Sequence, residues 1–225
     1  MGKSVYFSQF VDVERIETIP KTIKNKNLDR YRYSLTIPFK ERSSGPTAVV
    51  IMKNPSKAGF FDEDNKKLLS DDTIYRVCDY IYKRKEKFSK LIILNLFPIY
   101  GSTFKNIAIK NIRELTGETG GYSQNDKVIK KVLNSLTIKE DRIILAWGGY
   151  PKISGNKEKK ISKSGQQKVN KLYVQRIKKV LSIIENRPIF KVGTELSYGK
   201  FPQHGKAWYD FEELLLFDYP ILSKS

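Results

Sequence analysis

The sequence predicts an α/β protein built on a four-stranded parallel sheet, with helices on both faces in three α/β/α layers. Three observations predict it. Four short apolar runs each end in turn residues, amphipathic helical stripes lie between the runs, and 225 residues are enough to bury a core without staples. We read residues 1–225 as a single domain.

Each element has its own signal. Residues 1–47 form an N-terminal β extension, a strand or hairpin beside the main sheet. In it, RYRYSLTIPF alternates Tyr31, Tyr33 and Leu35 with polar neighbours and closes at Pro38. From Ala48 the pattern becomes continuous. AVVIM, LIILN at 91–95, RIILAWGG at 142–149 and PIFKVG at 188–193 read as parallel strands buried on both faces. Ile74, Val77, Cys78 and Ile81 make one helical stripe behind the capping cluster Asp71-Asp72-Thr73. Val128, Ile129, Val132, Leu133 and Leu136 make a second, and Tyr173, Ile177, Val180, Leu181 and Ile184 a third. Phe211 to Phe217 reads as a last short helix. Residues 151–180 hold ten Lys or Arg against one acid, Glu158, and the Gly-, Ser- and Lys-rich part at 151–168 reads as a mobile basic loop.

Composition narrows the function. Forty-two Lys and Arg face 24 Asp and Glu, a formal net charge of +18. Such a chain gains free energy by releasing counterions from a polyanion, so DNA is the first partner to consider. The single cysteine, Cys78, cannot form an internal disulfide, which suits a cytoplasmic protein. With one histidine, His204, and one cysteine, no common zinc set can be assembled, and no cofactor motif is present. No apolar run approaches the roughly 20 residues of a membrane span, so no membrane partner is expected. A monomer is expected, and a structural role in a larger complex is disfavoured because no long heptad pattern or dominant apolar patch appears.

In open α/β sheets ligands bind beyond the carboxyl ends of the strands. The first run is succeeded here by Asn54-Pro55-Ser56-Lys57. The second ends in Asn95-Leu96-Phe97-Pro98, the third in Gly148-Gly149, and the fourth in Gly193 with Gln203-His204-Gly205 further on. Carboxamides, glycines and the only histidine therefore fall at one rim.

This ordered set resembles the family catalogued as domain of unknown function 1643, over about residues 30 to 215, through RYRYSLTIPF, VVIMKNPSKAG, LIILNLFPIYGS, RIILAWGG and GKFPQH. More distantly it is similar to the uracil-DNA glycosylase superfamily, because MKNPS, LIILN, ILAWG and QHG occur in that superfamily's motif order. Two departures stand out: Met52 replaces the leading glycine of the first motif, and His204-Gly205 replaces His-Pro-Ser.

The resemblance implies a hydrolase that extrudes a base from DNA and cuts its N-glycosidic bond. Asn54 would position a water, Asn95 would read a pyrimidine edge, and His204 would donate to the departing base. Asp62 or Asp64 would serve as a base for the water. Phe60, Phe61, Phe97 and Ser56 would line the base pocket. Lys57, Gly148, Gly149, Lys152, Lys157, Lys159, Lys160 and Lys206 would touch the DNA backbone. Ser56 to Gly59 come after Pro55 where the uracil-specific branch carries a bulky tyrosine, so the implied target is a modified pyrimidine, as in foreign or phage DNA met in defence. A non-catalytic nucleic-acid binder and an enzyme acting on free nucleotides or nucleosides are the competing readings.

Overall fold

The computed structural model describes residues 4–20, 31–56, 58–62, 64–99, 121–151 and 163–219, with residues 121–123 described by backbone alone. The four apolar runs are strands β3 (Thr47–Met52), β6 (Lys90–Asn95), β7 (Arg142–Leu145) and β8 (Ile189–Val192). They lie parallel in the order β6-β3-β7-β8.

The sheet is wider than four strands. It has seven, in the order β1-β2-β6-β3-β7-β8-β9, and its flanks are antiparallel. On one side β2 (Ser34–Pro38) pairs with β6, and β1 (Glu17–Ile19) pairs with β2. On the other, β9 (Leu214–Leu216) pairs with β8. This corrects the expected helix at 211–217: three leucines there satisfy the open edge of β8, and Phe217 N–H donates to the Ile189 carbonyl at 2.8 Å. A two-stranded hairpin, β4 (Phe61–Asp62) and β5 (Lys67–Leu68), stands apart from the main sheet.

Among the described residues three α-helices cover the sheet: α1 (Asp72–Tyr82), α2 (Gly121–Asn134) and α3 (Lys163–Ile184). The strand pleat sorts the core. Val49, Ile51, Leu94 and Leu145 face Ile129, Leu133, Ile177 and Leu181 of α2 and α3. Val50, Met52, Ile93 and Ile144 face Val77, Cys78 and Ile81 of α1. Burial on both faces is why these strands read as unbroken apolar runs. Helix α3 begins at Lys163, inside the stretch read as a basic loop at 151–168, because Gly165 and Val169 continue its buried stripe toward the N-terminus. None of these helices is long and apolar enough to cross a membrane.

The chain enters the parallel core at β3, steps outward through α1 to β6, then returns past β3 to β7 on the other side. Adjacent strands β3 and β7 are thus succeeded by connections running to opposite faces, α1 on one and α3 on the other. Such a switch point leaves a crevice outside the carboxyl ends of the two strands.

Candidate functional site

Four segments meet at these strand ends. Met52 at the end of β3 is in register with Asn95 at the end of β6. Just beyond the strands, Phe97 N–H donates to the Lys53 carbonyl at 2.9 Å. The Lys53 ammonium crosses to β7 and donates to the Gly149 carbonyl at 2.7 Å. The turn carrying His204 closes the group: a Cβ on Gly148 would lie 3.0 Å from His204 Cβ, and one on Gly205 would lie 3.8 Å from Met52 Cε. The only imidazole therefore stands at the ends of β3 and β7.

Asn95 is fully buried, and among the described residues neither its Nδ2 nor its Oδ1 has a hydrogen-bond partner. Its backbone is tightly held. Asn125 Nδ2 of α2 donates to the Asn95 carbonyl at 3.0 Å, and Arg176 Nε of α3 donates to the Leu96 carbonyl at 2.6 Å. Arg176 is buried and pairs with Asp126 at 2.6 Å. Two helices thus fix the end of β6 from one face while the Asn95 carboxamide is left unpaired. Leaving such a group buried costs about 1–3 kcal/mol.

His204 caps the short 3-10 turn Gly205–Ala207, its Nδ1 accepting from Lys206 N–H at 3.2 Å. An accepting Nδ1 assigns the ring hydrogen to Nε2. Burial, reinforced by the charge of Lys53, lowers the imidazole pKa to about 4, so it is neutral at pH 7. Burial likewise lowers Lys53 to about 8.

The loop after β3 is braced on several sides. Ser56 Oγ donates to Asp71 Oδ2, and Asp71 caps α1 through Thr73 and Ile74 N–H at 2.8 and 3.0 Å. Arg32, buried in the sheet flank, donates to the Ala58 carbonyl. Asn54 is half-buried, its Nδ2 donating to the Pro55 carbonyl at 3.2 Å.

The structure thus brings Asn54, Asn95, His204, Gly148, Gly149 and Ser56 to one rim. Other expected residues lie elsewhere. Asp62 sits on the separate hairpin, accepting from Tyr6 Oη at 2.9 Å and Asn65 Nδ2 at 3.0 Å. Those bonds hold its carboxyl below the usual range and leave it a loop anchor. Asp64 is an exposed residue of the same turn. Phe61 is half exposed on the hairpin, facing a groove of about 610 Å³ with Tyr6 and Lys67. Phe60 is half-buried before that hairpin. Phe97 is in the core, stacked on Tyr173 with ring centres 6.2 Å apart. Lys206 is exposed and lies 3.7 Å from Asp72. Lys57, Lys152, Lys157, Lys159 and Lys160 lie outside the described residues.

Several residues of the site are not legible in the sequence. Lys53 comes directly after an apolar run, where a cation is unexpected. Asn125 and Arg176 interrupt the apolar stripes of α2 and α3, each one turn from a core residue, and that interruption is the available signal. Tyr198, which packs over Gly149, is an exposed aromatic ring at this rim. Among the described residues no group of His, Cys, Asp and Glu side chains could hold a metal ion.

Gly148 has φ +68°, a conformation costly for any residue with a Cβ, and its Cα faces His204. Gly148→Ala is expected to cost about 1–2 kcal/mol from that strain. The added methyl also displaces the imidazole. A denaturant melt checks the first effect, and the side-chain NMR resonances of His204 check the second.

No curated protein and no solved structure matches the chain. The family model described as "Protein of unknown function (DUF1643)" matches residues 32–188, which runs from β2 to the residue before β8 and includes Asn54, Asn95 and Gly148. The chain belongs to the DUF1643 family.

Proposed function

We propose that the protein is a DNA glycosylase that extrudes a pyrimidine base, one enlarged at C5, and hydrolyses its N-glycosidic bond. The observation that carries this reading is the fully buried carboxamide of Asn95 at the carboxyl end of a central strand, unpaired among the described residues. A carboxamide offers an acceptor and a donor pair side by side, which matches two adjacent polar positions on a pyrimidine edge. A ligand that completes those bonds recovers the cost of their burial.

The neighbouring groups suit the chemistry. Cleavage leaves positive charge on the sugar and sends the bonding electron pair out with the base. Neutral His204 directs its Nε2–H at the developing negative charge and does not itself need to lose a charge. Asn54 orients the water that captures the sugar cation at C1′, and the water's proton passes to solvent after capture. The four residues after Pro55, Ser56 to Gly59, include no aromatic ring, and of them Ser56 is tied to Asp71 and Ala58 is buried. The formal charge of +18 supplies attraction for the DNA backbone.

The test uses duplexes carrying uracil, a thymine mismatch, or cytosines enlarged at C5, assayed for abasic sites by alkaline cleavage. Release of a C5-enlarged base is expected, with loss of about 100-fold or more in Asn54→Ala and in His204→Ala. Release of uracil alone would refute the enlarged pocket. DNA binding with no base release from any duplex would favour the non-catalytic binder.

A further inference from the structure

Lys53 is a cation placed where nothing in the described chain balances it. Its ammonium is half-buried between the ends of β3 and β7, 2.7 Å from the Gly149 carbonyl and 5.3 Å from the centre of the Tyr173 ring. Both contacts are neutral. Among the described residues no carboxylate lies within ion-pair distance of it, and no acid offsets the effect of burial on its charge. The charged groups that act on His204 besides Lys53 are Asp71, whose carboxylate is already taken by Ser56, Thr73 and Ile74, and Lys206, paired with Asp72. Burying a lone cation is costly, and a ligand that brings the opposite charge offsets that cost. One ammonium hydrogen is committed to Gly149, which leaves two for a ligand.

We infer that Lys53 is the anion-binding group of the crevice, and that its ammonium binds the negative charge carried by a pyrimidine ring as the base departs. The inference rests on the proposed base pocket and adds a charge-stabilising residue to it. When the C1′–N bond breaks, the electron pair stays on the base. His204 is neutral and contributes a dipole, whereas Lys53 contributes a full charge beside it. The site should therefore prefer the anionic form of a pyrimidine to its neutral form. Burial lowers the amine to about 8, so the cation is largely present at pH 7 and is lost as the pH rises toward 9.

The probes are barbiturate, a pyrimidine trione that is an anion at neutral pH, and uracil, which is neutral there. Binding to the full chain is measured by calorimetry at pH 7 and again at pH 9. Wild-type protein should bind barbiturate about tenfold more tightly than uracil at pH 7, the scale of one charge-assisted hydrogen bond. The preference should shrink at pH 9, a comparison that needs no variant. Lys53→Met should bind both probes alike, and Lys53→Arg should keep a preference for the anion. Asp71 and Lys206 are unchanged in both variants, so the difference reports Lys53. Uracil binding without an anion preference in wild type, or a preference that survives in Lys53→Met, would overturn the role of Lys53 and leave the base pocket standing. Failure of both pyrimidines to bind would remove the pocket and this inference together.

Discussion

Asn95→Leu is expected to make the protein more stable by about 1–2 kcal/mol and to abolish the proposed base release. The carboxamide is buried, both its polar ends are unpaired among the described residues, and leucine has a similar volume with nothing to desolvate. Removing an unsatisfied buried polar group recovers part of its penalty of about 1–3 kcal/mol. Asn125 and Arg176 hold this strand end through its backbone carbonyls, which the substitution leaves in place, so the scaffold beneath position 95 should persist. Base release falls because an apolar side chain cannot bond a pyrimidine edge, and the polar edge would then be buried unpaired. Chemical denaturation and the abasic-site assay read the two effects separately. A loss of stability in Asn95→Leu would mean that the carboxamide is structural and would remove the main support for a ligand there.

The second large effect concerns acid. His204 titrates near 4 in the folded protein and near 6.5 in the unfolded chain. Between those values the unfolded chain takes up a proton that the folded protein refuses, so stability falls as the pH drops from about 6.5 to 4. A shift of that size corresponds to about 3 kcal/mol at pH 4. Lys53 acts in a higher window. Its folded pKa of about 8 lies below the ordinary lysine value of 10.5, so its contribution to stability rises between those pH values. His204→Asn keeps a side-chain acceptor for Lys206 N–H and removes the titration. Urea unfolding of both proteins at pH 7 and pH 4.5 checks this: the variant should lose less stability than wild type on acidification. Equal losses would mean that the imidazole is solvated.

The two effects share a cause, the burial of polar groups at a strand-end crevice. The place of that crevice is legible in the sequence because AVVIM, LIILN and RIILAWGG are continuous apolar runs, and the polar residues after them must lie just past the sheet. Asn54, Asn95 and Gly148 come directly from this. His204 is harder, since no strand delivers it. The structure brings it in on a turn whose Gly205 packs against Val77 and Met52. The flanking strands are half legible. RYRYSLTIPF alternates and reads as β, whereas Leu214–Leu216 is too short to show a period and reads as helix. The hairpin of β4 and β5 is invisible in the sequence because two residues per strand carry no pattern. Asp62 consequently looks like a free carboxylate near Asn54, when tertiary contact with Tyr6 has claimed it. Lys53 and Arg176 are illegible for a similar reason: a charge at the edge of an apolar stripe becomes meaningful only when the partner carbonyls of Gly149 and Leu96 are known.

The most direct measurement tracks the Asn95 side-chain amide by NMR in labelled protein as duplex DNA is added. With a duplex bearing a cytosine enlarged at C5, the Asn95 amide resonances should shift as donor and acceptor become paired, and unmodified duplex should leave them in place. Resonances that stay fixed while the protein binds the modified duplex would show that no base enters the crevice, and would contradict the account.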